Sequence, residues 1–138
     1  MGLIYAEVEL INNVDIMDAR RYMIGEEEIR RMRVTMLIDS RAFTMAINEN
    51  IQAQLELSFL QKRPIQLADG KIIYCDVVGP IDVKFANRMA TCGAVVLPGD
   101  SMPILTGIPM LEMDVLIDEE KQQLVVNPKH PDRAVLRI

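Results

Sequence analysis

Asp39 and Ser40 are the residues of this chain whose chemistry most needs an explanation. They stand side by side at the end of an apolar run in which Val34, Met36 and Ile38 alternate like one face of a strand. A carboxylate in such a setting is costly unless it is hydrogen-bonded, shares a proton or takes part in a reaction. One explanation is a structural turn, in which Asp and Ser bond to their own backbone. The other is a catalytic acid.

The composition favours one domain with an aliphatic core. A chain of 138 residues can bury most of its surface around a single core, so we expect one domain over residues 1–138. Half of the residues are apolar, but only 4% are aromatic and none is Trp. The core must therefore consist of Ile, Leu, Val and many of the ten Met residues, which makes it adaptable.

The charge of the chain argues against nucleic acid as a partner. The net charge is −5 and the isoelectric point is about 4.9, whereas a nucleic-acid binder needs a basic surface. The one dense basic run, Arg30–Arg33, directly follows the acidic run Glu26–Glu28. We interpret the two runs as a solvated surface whose charges compensate one another, and contact with an acidic partner is the alternative.

The cysteines and the apolar runs indicate the compartment. Cys75 and Cys92 each lie in a strand-like apolar run without neighbours at metal-ligand spacing. We expect free thiols in a reducing compartment, no metal and no cofactor, with a disulfide as the alternative. The N-terminus lacks a secretory signal pattern, and no apolar run approaches the roughly 18 residues of a membrane span. A soluble, cytoplasmic protein without a membrane partner is the expectation.

The first third of the chain predicts two strands around a long loop. Alternation predicts a strand from Leu3 to Ile11 and a second from Ile29 to Ile38, which leads into the Asp39 turn. Between them, Asn12 to Glu28 is polar and acidic without a clear period. A loop of that length is commonly functional or mobile.

After the Asp39 turn the pattern predicts a short strand and a short helix. Phe43 to Ile47 is strand-like, and Asn48 is a good N-cap for a helix with Ile51 and Leu55 on one face. We expect this helix to end near Ser58. It would pack its apolar face on a sheet.

The middle of the chain carries the strongest local signal. Asp69-Gly70 stands between the apolar runs Pro64–Leu67 and Lys71–Val78, a pattern typical of a hairpin. Gly79-Pro80 then predicts a break. Strands are expected over Ile81–Phe85 and Met89–Leu97.

The last third predicts a second turn, a hairpin and an apolar tail. Ile104–Gly107 resembles the Asp39 stretch in shape, and Pro109 opens a helical turn. Val115–Ile117 and Leu124–Val126 predict a hairpin, followed by His130, which we expect to be a solvated loop residue. The apolar residues 134–138 predict a strand that pairs with something, such as another copy of the chain.

Taken together, these features resemble the single-domain retropepsin-like aspartic peptidases, in particular their small bacterial branch. The resemblance covers most of the chain and rests on three motifs: an apolar pair followed by an acid, a hydroxyl residue, Gly and Ala; a flap-like hairpin; and an apolar-apolar-Gly element before a helical turn. It implies a mainly β fold, a closed β-barrel with one or two short helices. The matching residues are Asp39, Ser40, Arg41 and Ala42 in the first motif, Ala68, Asp69 and Gly70 in the second, and Leu105, Thr106 and Gly107 in the third.

The resemblance also implies a homodimer. In this family a two-fold axis brings both copies of the acid together, here Asp39. The two carboxylates share one proton, so that one activates water while the other protonates the substrate carbonyl. Ser40 would brace the turn across the dimer, the Asp69-Gly70 hairpin would close over an extended peptide or unfolded protein, and the C-terminal strand would interleave with the partner's termini.

Arg41 departs from the family, which has Gly at this position. A side chain here intrudes on the cleft, and an Arg near an Asp lowers the pKa of that carboxyl by about 1–3 units. A doubly ionised pair of acids has no proton to donate. Three hypotheses stay open: an active peptidase, shifted to lower pH; a non-catalytic homodimer that binds a peptide, a protein partner or an anionic group; and an all-β scaffold whose Asp39 turn is structural.

Overall fold

Strands dominate the computed structural model of the chain, which describes residues 2–138. Strands make up 47% of the chain and helices 18%, so the predicted mainly β class is confirmed. Within residues 2–138, three short α-helices occur where one or two were predicted, and a single 3-10 turn at Glu26–Glu28 makes up the rest of the helical fraction. The strands are β1 (Tyr5–Asn12), β2 (Arg31–Asp39), β3 (Met45–Asn48), β4 (Ser58–Gln66), β5 (Ile72–Phe85), β6 (Arg88–Leu97), β7 (Ile104–Thr106), β8 (Val115–Asp118) and β9 (Gln123–Val126). The helices are α1 (Asn13–Arg20), α2 (Glu49–Leu55) and α3 (Gly107–Met113).

Six strands close into the predicted barrel. Their order around the ring is β1, β2, β7, β3, β6, β5 and back to β1. The ring closes because β1 pairs antiparallel with β2 from Tyr5 to Ile11 and with β5 through its last four residues, where Leu10 lies opposite Val83. Strand β4 lies outside the ring and, among the residues that the structure describes, pairs only with β5; β8 and β9 form a separate two-stranded sheet.

The core fills the barrel with aliphatic side chains and Met, as the composition predicts. Alternate residues of β1 and β2 point inward, because successive side chains of a strand point to opposite faces. Helices α2 and α3 and strand β9 add buried residues to the same cluster. The largest fully buried apolar side chains are Leu10, Met36, Met45, Ile47, Leu55, Ile81, Leu105 and Met113.

The predicted hairpin around Asp69-Gly70 is present, but its strands are longer than predicted. Strand β4 begins at Ser58, where the helix was expected to end, because α2 already ends at Leu55. The predicted break at Gly79-Pro80 is wrong, since β5 runs through it as one strand. Proline is tolerated there because the register of β5 against β6 shifts between Val78 and Ile81.

The predicted loop from Asn12 to Glu28 contains α1, so that prediction is wrong in part. Asn12 caps the helix by accepting a hydrogen bond from the backbone N–H of Asp15 at 3.2 Å. The Asn12 amide also donates to the carbonyl of Leu55 at 2.9 Å. Polar contacts hold this helix in place, and its apolar residues do not form one face. The helix therefore shows no apolar period from which the sequence could predict it.

Asp15 ties α1 to the start of β2. Its buried carboxylate accepts two hydrogen bonds from the Arg30 guanidinium, at 2.8 and 2.9 Å, and one from the Arg30 backbone N–H at 2.9 Å. The side-chain hydrogen bond from Arg30 holds the pKa of Asp15 below its usual range. Arg30 also contacts Glu56 at 3.1 Å. The expected compensation between residues 26–28 and 30–33 is therefore wrong, because Arg31 and Arg33 likewise pair elsewhere, with Glu9 and Glu7 of β1.

The last five residues form no strand with the part of the chain that the structure describes. The predicted strand over residues 134–138 is thus absent within one chain. Its pairing with a second copy stays a prediction.

Replacing Asp15 with Asn is expected to lower the free energy of unfolding by about 1–3 kcal/mol, because a buried, charge-assisted network is lost. The matched control is Glu7→Gln, since Glu7 accepts from Arg33 at 2.9 Å on the exposed surface. An exposed pair contributes about 0–1 kcal/mol. Urea unfolding of both variants measures the difference, and equal losses would contradict the role given to Asp15.

Candidate functional site

Asp39 is the last residue of β2, where the chain turns towards β3. Strand β7 lies between these two strands: it runs parallel to β2, with Thr106 opposite Asp39, and antiparallel to β3. The turn at residues 40–44 therefore crosses the end of β7. This arrangement brings the first and third sequence motifs together.

Two hydrogen bonds fasten the turn to the end of β7 and the start of α3. The Thr106 hydroxyl, which is buried, donates to the carbonyl of Phe43 at 2.7 Å. The Gly107 N–H donates to the carbonyl of Ala42 at 2.8 Å. Both bonds serve backbone groups of the turn, so Thr106 positions the turn.

Gly107 is required by the close approach of the two motifs. A Cβ atom at this position would lie 2.8 Å from the carbonyl oxygen of Ser40 and 3.3 Å from that of Ala42. Real Cβ atoms do not come so close to backbone oxygen. The hydrogen at this position is therefore what allows α3 to begin directly under the Asp39 turn.

The carboxylate of Asp39 is oriented by its own turn. Its Oδ1 atom accepts a hydrogen bond from the backbone N–H of Arg41 at 3.1 Å, as in an Asx turn. The side chain is 37% exposed. Within residues 2–138, Oδ2 accepts no hydrogen bond, so one oxygen of the acid is available for contacts outside the chain.

Arg41 turns its guanidinium to solvent. The Nε atom lies 3.7 Å from Asp39 Oδ1, but the side chain of Arg41 is 93% exposed. An exposed ion pair of this length contributes about 0–1 kcal/mol. The guanidinium is therefore not locked against the carboxylate.

Two cavities border the turn. The Asp39 cavity, of about 270 Å³, is lined by Asp39 and Arg41 together with the N-terminal segment 2–4 and Glu119 of the β8–β9 turn. The Ser40 cavity, of about 380 Å³, lies between Ser40, α3 and β8, and Glu119 borders it too. Apolar side chains form most of the remaining walls of both cavities.

The flap-like motif is not brought to these cavities. Asp69 accepts a hydrogen bond from the Lys71 N–H at 2.9 Å, and Gly70 has φ +87°, which suits a glycine in a tight hairpin. Ala68, Asp69 and Gly70 are exposed at the tip of the β4–β5 hairpin and line neither cavity. The structure therefore joins two of the three motifs.

Metal ligands and thiols are the two other kinds of reactive group to consider in the described residues. No group of three or more His, Cys, Asp or Glu side chains within residues 2–138 is arranged to hold a metal ion. Cys75 and Cys92 are unpaired, and burial raises the pKa of the Cys92 thiol to about 12. None of the helices in that part of the chain is long and apolar enough to cross a membrane.

A polar cluster that the sequence did not reveal lies at the far end of α3. Asp114 accepts hydrogen bonds from Asn127 Nδ2 at 3.0 Å and from the Val135 N–H at 3.0 Å, and it contacts His130 Nδ1 at 2.6 Å. Arg88, whose side chain is fully buried, lies 3.9 Å away and donates to the carbonyl of His130. His130 is therefore half-buried and bonded, so its prediction as a solvated residue is wrong.

Replacing Gly107 with Ala is expected to lower the free energy of unfolding by about 1–3 kcal/mol, because the new methyl group collides with backbone oxygen of the Asp39 turn. The control is Gly93→Ala, where the nearest atoms would lie 3.5 Å from the Cβ, at ordinary contact distance. That variant should change stability by less than about 1 kcal/mol. Urea unfolding tests both, and a neutral Gly107→Ala would refute the close approach.

Replacing Asp114 with Asn should lower the melting temperature near neutral pH. The hydrogen bond from Asn127, the Val135 N–H and His130 together hold the pKa of Asp114 at about 2, below its ordinary value of 3.8. A lowered pKa contributes stability above the unfolded value of about 4, and that stability is lost as pH falls towards 2. The gap between variant and native protein should therefore close as pH falls towards 2.

Asn keeps the left-handed backbone that Asp114 adopts at φ 56°. Asp132→Asn, at an exposed position of the tail, is the control and should change the melting temperature little. A gap between Asp114→Asn and the native protein that is constant over this pH range would contradict the prediction.

Similarity to known proteins does not identify a family for this chain. A scan against protein-family models gives no match, and neither does a search of curated proteins. The retropepsin-like resemblance therefore rests on the motifs themselves.

Proposed function

We propose that this chain is a retropepsin-like aspartic endopeptidase that acts as a homodimer on extended segments of peptide or unfolded protein. The observation that carries the proposal is the setting of Asp39. An acid with one oxygen held by a backbone N–H and the other open stands on a turn fastened across β7.

The homodimer supplies the second carboxylate. Acid–base hydrolysis of this type needs two carboxyl groups that share one proton, because like charges so close cannot both ionise. A two-fold axis beside an exposed turn brings two copies of one residue together. Exposed apolar side chains around the turn support such an interface: Leu3 is 70% exposed, Leu111 77% and Leu116 38%.

In the proposed mechanism, the ionised Asp39 takes a proton from water, whose oxygen attacks the peptide carbonyl carbon. Asp39 of the partner subunit gives its proton to the carbonyl oxygen. The tetrahedral intermediate then breaks the C–N bond as the first Asp39 gives the proton it took from water to the amine nitrogen, and Asp39 of the partner subunit takes a proton back from a hydroxyl of the intermediate. The hydrogen bond from the Arg41 N–H keeps the carboxylate oriented during both steps.

A non-catalytic homodimer that binds peptide or protein partners is the second candidate. The observation that favours it is the contact of 3.7 Å between Arg41 Nε and Asp39 Oδ1. If the guanidinium stays beside the acid when two copies meet, both carboxylates remain ionised. The cleft then binds without cleaving.

Peptidase activity decides between the two candidates. Purified protein is expected to cleave an unfolded protein substrate somewhere between about pH 3 and 7, where the pair holds one proton. Asp39→Asn should reduce the rate at least about a hundredfold, because it removes both proton-transfer groups of the dimer. Arg41→Gly should raise the rate or move the optimum to higher pH.

Asp132→Asn, which alters an exposed carboxylate of the tail, is the control for nonspecific effects of charge. Cleavage that persists in Asp39→Asn would refute the catalytic role. Absence of cleavage at every pH by a folded dimer, in both the native protein and Arg41→Gly, would leave the binding function.

A further inference from the structure

Arg41 and Glu119 are two exposed opposite charges on the same surface that do not pair within the chain. Glu119 lies in the β8–β9 turn and borders both cavities beside Asp39. Arg41 lines the Asp39 cavity, and its one ion-pair partner within residues 2–138 is Asp39, reached through Nε at 3.7 Å. The two terminal nitrogens of the guanidinium are left open, and Glu119 has no cation against it in that part of the chain.

We propose that Arg41 of each subunit pairs with Glu119 of the partner subunit across the dimer axis. This inference rests on the homodimer proposed above, and it names a contact that fixes how the two subunits are placed relative to one another. In a two-fold interface, a contact between residues i and j occurs twice, once in each direction. One cation and one anion on the same face therefore make the face complementary to itself.

The position of Arg41 favours a contact in trans. It follows Asp39 by two residues, and its side chain, which is 93% exposed on this turn, is accessible to a partner subunit. An axis beside Asp39 places the partner's surface in front of it. The anions that border that surface are Asp39 and Glu119.

Pairing with Glu119 also gives the Arg41 guanidinium a partner other than Asp39. Its planar fork can then bind one carboxylate through two parallel hydrogen bonds. In this proposal Arg41, which replaces the glycine of the family, stabilises the dimer and leaves the two Asp39 carboxyl groups free to act as a pair.

The test exchanges charges between the two positions. Arg41→Glu and Glu119→Arg are made separately and together, and the dimer dissociation constant is measured by sedimentation equilibrium at low ionic strength. Each single variant places like charges together twice per dimer, so each should weaken dimerisation about tenfold or more. The double variant should return to within about threefold of the native value.

Mixing the two single variants separates a contact in trans from one in cis. In a heterodimer of Arg41→Glu with Glu119→Arg, opposite charges meet again at both contacts: the two introduced side chains face each other at one, and the native Arg41 and Glu119 face each other at the other. The mixture should therefore dimerise far better than either variant alone. A contact within one chain predicts no gain on mixing and would overturn the proposal.

Glu120→Arg is the matched control, because Glu120 is exposed in the same turn but lines neither cavity. It should leave dimerisation within about twofold of the native value. Circular dichroism and melting curves check that each variant folds. If the native chain dimerises and the charge reversals have no effect, this inference fails while the homodimer stands. If the native chain is a monomer at every concentration, both proposals fail.

Discussion

The passage of β7 between β2 and β3 is the constraint on which the candidate site depends. These two strands are joined by the Asp39 turn, so a third strand between them forces the turn to cross its end. Backbone groups then meet at distances that only glycine permits, as at Gly107. The conformation of the acid is thus set by a crossing of three strands, one of which is far from the other two in the sequence.

Local sequence patterns predict the elements of this fold well where a single capping or turn residue, or the spacing of the apolar residues, determines the structure. Asn48 was predicted as an N-cap and does accept a hydrogen bond from the Ile51 N–H at 2.9 Å. The Asp69-Gly70 turn and the aliphatic barrel core also follow from short-range patterns. These features are determined by residues that are close together in the sequence, and they are therefore visible in it.

Features made by distant polar partners were missed. Helix α1 is held by Asp15 and Arg30, fifteen residues apart, and leaves no apolar period. The Asp114 cluster joins the end of α3 to a tail residue 21 positions later. At the site itself, the sequence predicts which residues form the turn, but the direction of the Arg41 side chain depends on surroundings that no local pattern encodes.

The position of β4 outside the barrel has a consequence for self-association. The Leu67 N–H donates a hydrogen bond to the Lys71 carbonyl, and in an antiparallel pair the main-chain groups of alternate residues point to the neighbouring strand. The main-chain N–H and C=O groups of Lys62, Pro64 and Gln66 therefore point away from β5, to the unpaired edge of β4. Proline has no N–H to offer there. A strand of another chain that paired with this edge would lack one ladder hydrogen bond, at Pro64. The proline therefore disfavours edge-to-edge aggregation through β4.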